Sequence, residues 1–349
     1  MCFRALMSLM LTFASAFECQ AASAAEQSPP LPPTMNAIVI DAPGGHDALK
    51  LRTLPVPSPD ANEVLIAMHY ASVAVWDTEI RASMSYINHP KFPYVLGSDG
   101  SGIVAAVGSS VTRFNVGDAV YGYCWDNPKG GFYAEYLAAS ADCIAKLPNG
   151  LSLDAAGALG ASGLTALSGV DRALNIKRGD SVIIHGASGA VGTLAVQLAK
   201  LRGARVLATA FGDEGLALVR RLGADVAVDG RKSDIAAARA FAPKGVDSVL
   251  ALVGGDALEK CLDALRSGGR VAYPNGVEPV PKPRPGATII PYDALFGNQK
   301  LQMAQLNQAV EARAFEVPIA ATFPLADAAA AHRRVEAGRV PGKVVLKIR

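Results

Sequence analysis

Little in this chain offers a disulfide, a metal knuckle or a nucleic-acid surface. Its 349 residues include five cysteines, Cys2, Cys19, Cys124, Cys143 and Cys261, and no two of them form a C-x-x-C pair. A disulfide framework or zinc knuckle needs near neighbours, so reduced and mostly buried thiols are expected. His46, His69, His89, His185 and His332 are spread one by one, and a lone histidine is more often a satisfied core or surface residue than a ligand. Charged residues make up only 18% and nearly cancel, Lys+Arg 33 against Asp+Glu 31. No basic run with interleaved aromatics tracks a phosphate backbone, which argues against nucleic acid as a partner. What the chain has in quantity is hydrophobic residues, at 50%, with Gly 34 and Pro 22 spread along its length. That composition excludes a disordered, coiled-coil or collagen-like chain, and the length suggests about two domains of roughly 100–200 residues each.

The first 34 residues admit two readings. Arg4, an apolar run from Ala5 to Phe17 and the A-x-A site Ala22-Ser23-Ala24 have the form of a secretory signal peptide. The run is too short for a membrane helix, which needs roughly 20 apolar residues, so no membrane association is expected of the mature form. Met35, which precedes the alternating run Ala37-Ile38-Val39-Ile40, is equally a candidate initiator. The expectation is a cytoplasmic protein if Met35 is the start; the alternative is a periplasmic one, exported by a Sec-type signal cleaved after Ala24.

From Met35 to about Ala156, short and often alternating apolar runs separated by Gly, Pro and Asp predict a β-rich domain. From about Leu159 to Pro291 the pattern becomes buried strands alternating with helical segments. The strands are expected at Ser181 to His185, Arg205 to Thr209, Asp225 to Val228, Asp247 to Leu252, Gly269 to Tyr273 and Ala287 to Ile290. Six strands with intervening helices argue an α/β fold built on a doubly wound parallel sheet. Beyond Pro291 a helix from Leu301 to Ala314, a strand Val317 to Thr322, a helix Leu325 to Ala337 and a closing strand Lys343 to Ile348 are expected.

The most informative local signal is Ser181-Val182-Ile183-Ile184-His185 running into Gly186-Ala187-Ser188-Gly189-Ala190-Val191-Gly192 and then an apolar-faced helix. A strand that enters a glycine turn and leaves as a helix presents backbone N–H groups to a pyrophosphate. Gly189 lets the backbone approach the phosphates and Gly192 lets the helix pack against the sheet, while Ala187 stands where the first glycine of G-x-G-x-x-G usually falls. The second strand ends in Thr209-Ala210-Phe211, with no carboxylate to hold a ribose diol. This leans toward NADPH, with NADH as the alternative because Asp213 and Glu214 follow closely. Arg220, Arg221, Arg231 and Lys232 are the nearby cations. Thr209 belongs to the expected cofactor site, as do Val253, Gly254 and Asn275 at the carboxyl ends of the fourth and fifth strands.

Several stretches taken together resemble the medium-chain dehydrogenase/reductase superfamily, in its zinc-independent quinone oxidoreductase branch. They are Leu96-Gly97-Ser98-Asp99-Gly100-Ser101-Gly102, Val116-Gly117-Asp118-Ala119-Val120-Tyr121-Gly122, Ala161-Ser162-Gly163-Leu164-Thr165-Ala166, the glycine turn, and Gly338-Arg339-Val340-Pro341-Gly342-Lys343-Val344. The resemblance implies a GroES-like domain from 35–157 with 292–349, enclosing a Rossmann domain at 158–291, with the cleft between them and Thr165 placing the nicotinamide. A homodimer is compatible with it.

A catalytic zinc needs three closely placed ligands and a water. Where zinc-dependent relatives supply a Cys and a G-H-E motif, this chain has Ala74, and Ser98 with Asp99. Only Cys124 falls where a four-cysteine structural zinc lobe would lie. No zinc is therefore expected, and with nothing to polarise an alkoxide, alcohol oxidation is disfavoured. The branch's V-N-P-V-D is replaced by Val73-Ala74-Val75-Trp76-Asp77, which leaves Trp76 either shaping a substrate pocket or sitting in the core. The expected activity is hydride transfer from NADPH to a quinone or an α,β-unsaturated carbonyl, with no catalytic residue named. The rival is a low-turnover nucleotide-binding sensor or structural protein of the same fold.

Overall fold

The middle of the sequence folds into a six-stranded parallel sheet ordered Val226–Asp229, Arg205–Ala210, Ser181–His185, Val246–Ala251, Leu265–Pro274, Thr288–Tyr292. Numbered along the chain this order is 3-2-1-4-5-6, the doubly wound arrangement, and the winding reverses between Ser181–His185 and Val246–Ala251. The computed structural model describes residues 30–231, 235–295 and 297–349. Residues 1–29, with the leader's apolar run and its A-x-A site, and Lys232 lie outside the described residues. Pro32–Arg349 forms one unit, and among the described residues no helix is long and apolar enough to cross a membrane.

The rest of the β-structure is almost entirely antiparallel. Strands Ile319–Pro324, Lys343–Lys347, Glu63–Val73, Asp99–Val107, Ala119–Tyr123 and Ile144–Lys146 lie side by side, and Tyr136–Ser140 also pairs with Glu63–Val73. The closing strand is tied to the first half of the chain by Val344 opposite Val73 and Leu346 opposite Ala71. A small sheet joins Thr34–Ile40 to Lys50–Pro55 and Tyr94–Val95.

Helix Gly160–Leu167, buried along its whole length, packs on helix Ala190–Leu201 and on Gln299–Glu311. Its small residues, Gly-Ala-Ser-Gly, permit that close approach. One hydrophobic cluster therefore runs from Val182 and Ile184 in the parallel sheet through Leu164 to Leu306 and Val345.

The sequence pattern missed helix Val75–Ser83. Its buried face carries Asp77, Thr78, Ile80 and Arg81, so polar side chains occupy positions where a period of 3.6 would ordinarily show apolar ones. The helix expected from Leu325 begins instead as a 3-10 turn, Leu325–Asp327, before Ala328–Glu336.

Candidate active site

The glycine turn sits at the carboxyl end of Ser181–His185, where the winding of the sheet reverses. Gly186 has φ of 85° and donates its N–H to the Thr209 hydroxyl at 3.0 Å, while Ala187 donates to the Thr209 carbonyl at 2.8 Å. Gly189 caps helix Ala190–Leu201 in an extended conformation, and helix geometry leaves the N–H groups of the first turn without intrahelical acceptors. Gly189 and Gly192 differ in kind. A Cβ at Gly192 would meet the Ala187 Cα at 2.5 Å, whereas one at Gly189 would meet only the Gly186 carbonyl oxygen, at 3.5 Å. Packing thus demands glycine at 192, while the face of Gly189 is open on the protein side.

Val253, 54% exposed, reaches over the turn, since a Cβ on Gly186 would meet its Cγ2 at 2.8 Å. Gly254 is packed under the Pro279 carbonyl. The other expected contacts need refinement. Thr209 is buried and its hydroxyl is shared between Gly186 N–H and His185 Nδ1, so it braces the turn from inside and does not face the groove. The Ala187 methyl lies in the core. Thr165 is buried with its hydroxyl donating to the Ala161 carbonyl at 2.8 Å. Asn275 is exposed and its amide donates to Asp293.

At the end of Arg205–Ala210, Phe211 lies between two guanidinium groups, that of Arg231 at 4.8 Å and that of Arg339 at 4.5 Å from its ring centre. Arg231 is paired with Asp229, and Asp213 and Glu214 are exposed in the first turn of helix Gly212–Arg221. Sequence reasoning missed Arg339, which reaches this point because its segment crosses the glycine turn: Gly342 N–H donates to the Ser188 carbonyl at 2.9 Å.

Trp76 lies at the seam between two hydrophobic clusters and packs against both. Its Nε1–H donates to the Ser98 hydroxyl at 2.9 Å, and the Lys343 ammonium stands 5.4 Å from its ring centre. Asp99, fully buried, accepts from the Ser72 hydroxyl and from the Ala161 N–H, the latter at 3.0 Å. Among the described residues no three His, Cys, Asp or Glu side chains gather to hold a metal. Ala74 caps a helix and Ser98 accepts from Trp76, so the residues present do not fit a catalytic zinc.

Beneath Ser98 runs a buried polar chain that the sequence did not reveal. Asp77 Oδ2 accepts from the Ala74 N–H at 2.8 Å and from the Tyr133 hydroxyl at 3.3 Å, and that hydroxyl lies 3.3 Å from His332 Nε2. Burial pushes the Asp77 carboxyl up to about 7 and pushes His332 down to about 3, with the Arg81 charge adding to the latter. Arg81 in turn pairs with Glu336 at 2.7 Å. A narrow pocket opens on Asp77, lined also by Tyr94, Gly97, Ser98, Trp125 and Asn127. Trp76 is not among its walls.

Residues 60–149 match the alcohol dehydrogenase GroES-like domain and residues 222–346 match the zinc-binding dehydrogenase family. The chain is 33% identical over 327 residues to the mouse quinone oxidoreductase, covering 89% of this chain and 97% of that protein. It is 31% identical over 331 residues to a 2-haloacrylate reductase from a Burkholderia species, covering 89% and 98%. Among solved structures it superimposes on an NAD-dependent alcohol dehydrogenase with a TM-score of 0.82 and 31% identity, covering 90% of this chain and all of that one. A mycobacterial protein complexed with NADPH gives a TM-score of 0.77 at 29% identity, again covering 90% and 100%.

Proposed function

Because this chain belongs to the medium-chain dehydrogenase/reductase superfamily, in its quinone oxidoreductase-like branch, we propose that it is an NADPH-dependent, zinc-independent reductase of quinones and α,β-unsaturated carbonyls. The observation that carries the reading is the open face of Gly189 at the head of helix Ala190–Leu201, at the reversal point of the sheet. There the N–H groups of Ala190 and Val191 would hold the pyrophosphate, Ser188 and Val253 would line the groove, and NADPH when bound supplies a hydride.

Two features support NADPH over NADH: Phe211, not a carboxylate, directly follows the second strand, and Arg231 and Arg339 stand about that ring, where a 2'-phosphate would meet positive charge. The NADPH complex of the mycobacterial neighbour agrees with this, and the NAD-dependent neighbour marks the alternative. Zinc-independence is supported by Ala74 and Ser98, neither of which can ligate zinc as a thiolate or imidazole would. Without a metal to stabilise an alkoxide, the acceptor itself must delocalise the arriving electrons, which favours conjugated acceptors over saturated aldehydes. The acceptor would lie between the domain of 35–157 with 292–349 and that of 158–291, and Trp76, which packs against both hydrophobic clusters, would shape its access.

The test is a paired experiment on the purified protein. Fluorescence titration with NADPH reports binding, and NADPH consumption with a naphthoquinone or an enone reports turnover. Binding with turnover supports the reading; binding without consumption of NADPH by any acceptor identifies a sensor or structural protein instead.

A further inference from the structure

The pocket beside Ser98 holds one group for which the fold provides no partner. Asp77 is 1% exposed, and its Oδ1 has no hydrogen-bond partner among the described residues, although Oδ2 is held by the Ala74 N–H and the Tyr133 hydroxyl. An unsatisfied buried carboxyl oxygen costs free energy unless something visits it. We propose that the pocket receives the carbonyl oxygen of the acceptor and that Asp77 gives it the proton that accompanies the hydride. This rests on the reductase reading above and adds to it a named acid and a narrower substrate class, uncharged α,β-unsaturated ketones.

Hydride from NADPH adds to the β carbon, the Cα=Cβ pair moves to join Cα to the carbonyl carbon, and the C=O π pair moves onto oxygen. That oxygen takes the Asp77 proton, leaving an enol and a carboxylate. The enol ketonises in solvent, and the carboxylate regains a proton from water.

The surroundings suit a donor near neutrality. Burial and the Asp99 charge favour the protonated carboxyl, while the Ala74 N–H, Lys343 and Tyr133 oppose them, which leaves it able to donate and to ionise. On the side away from the pocket, His332 is held neutral behind Tyr133, and the neighbouring Arg81 and Glu336 neutralise each other. Toward the opening the pocket carries Tyr94 and the exposed Asp126, and no cation is among its lining residues. A substrate bearing its own carboxylate, such as an acrylate, would be repelled by Asp126 and by ionised Asp77.

The experiment measures kcat/KM for an uncharged enone and for acrylate between pH 5 and 9, in the wild type and in Asp77→Asn, with the NADPH Kd as the check on folding. The donor must be protonated, so wild-type kcat/KM for the enone is expected to be level below about pH 7 and to fall about tenfold per unit above it. Asp77→Asn is expected to lose about a hundredfold in kcat and to abolish that fall, with the NADPH Kd within about twofold. Acrylate is expected to be the poorer substrate of the wild type throughout. If the wild type turns over the enone with a level profile to pH 9, if Asp77→Asn keeps the wild-type profile, or if acrylate is the better substrate, the proposal is overturned while the reductase reading stands. If the wild type consumes no NADPH with any acceptor, both fall. Should Asp77→Asn not fold, the wild-type profile and the acrylate comparison still decide.

Discussion

Gly342 donates its backbone N–H to the carbonyl of Ser188 at 2.9 Å, so the segment that opens the closing strand is pinned to the glycine turn of the parallel sheet. Gly342 has φ of 109°, and a Cβ there would meet the Pro318 carbonyl oxygen at 2.4 Å. Gly342→Ala is therefore expected to destabilise the protein by about 1–3 kcal/mol. It should also weaken NADPH binding by disturbing the turn. Urea denaturation and fluorescence titration check the two effects.

Gly189 and Gly192 should fail differently when each is replaced by Val. Gly192→Val forces a side chain into the Ala187 backbone and is expected to cost stability by about 1–3 kcal/mol or more. Gly189→Val has room within the protein and should melt near the wild type while losing NADPH binding, because its side chain fills the approach to the helix N-terminus. Thermal melts run with and without NADPH separate the two.

Arg339 and Arg231 set the cofactor choice in this account. Losing a charge-assisted contact to a 2'-phosphate is expected to cost about 1.5–3 kcal/mol, roughly ten- to a hundredfold in KM for NADPH. Arg339→Ala should show this loss with KM for NADH almost unchanged. Arg231→Ala should show a smaller one, because Arg231 is already engaged with Asp229.

The buried Asp77 also leaves a signature in stability. Its folded carboxyl titrates near 7, above the unfolded value, so the unfolded state releases its proton first and the wild type loses stability as pH rises from about 4 to 7. The effect amounts to at most about 4 kcal/mol. Asp77→Asn lacks this loss, so its stability relative to the wild type should rise across that interval. His332 acts in the opposite sense, with stability lost as pH falls from the unfolded value toward 3, but it is common to both proteins and cancels in the comparison. Urea midpoints at pH 5 and pH 8 test this.

The six parallel strands and the glycine turn were legible because each is a short local pattern: a buried apolar run, a glycine with positive φ, a helix with one apolar face. Residues 181–192 could be read with no knowledge of the rest. Asp77 could not, because its partner Tyr133 is 56 residues away and Tyr133 meets His332 across a further 199. A carboxylate among Val75, Trp76 and Ile80 was the available signal, an acid flanked by apolar residues at helical spacing. Thr209 was legible as the end of its strand, but the direction of its hydroxyl was not, because the register that turns it under Gly186 is set by pairing with Ser181–His185. Arg339 joined the site through the Gly342–Ser188 contact, which no local pattern announces.

The central claim is that this protein passes hydride from NADPH to conjugated acceptors without a metal. Its most direct test is steady-state NADPH consumption by chelator-treated, metal-free protein offered a naphthoquinone, an uncharged enone and a saturated aldehyde of similar size. Brisk turnover of the first two and little of the third is expected, unchanged when zinc is added back. Equal turnover of the saturated aldehyde, or activity that appears only with zinc, would contradict it.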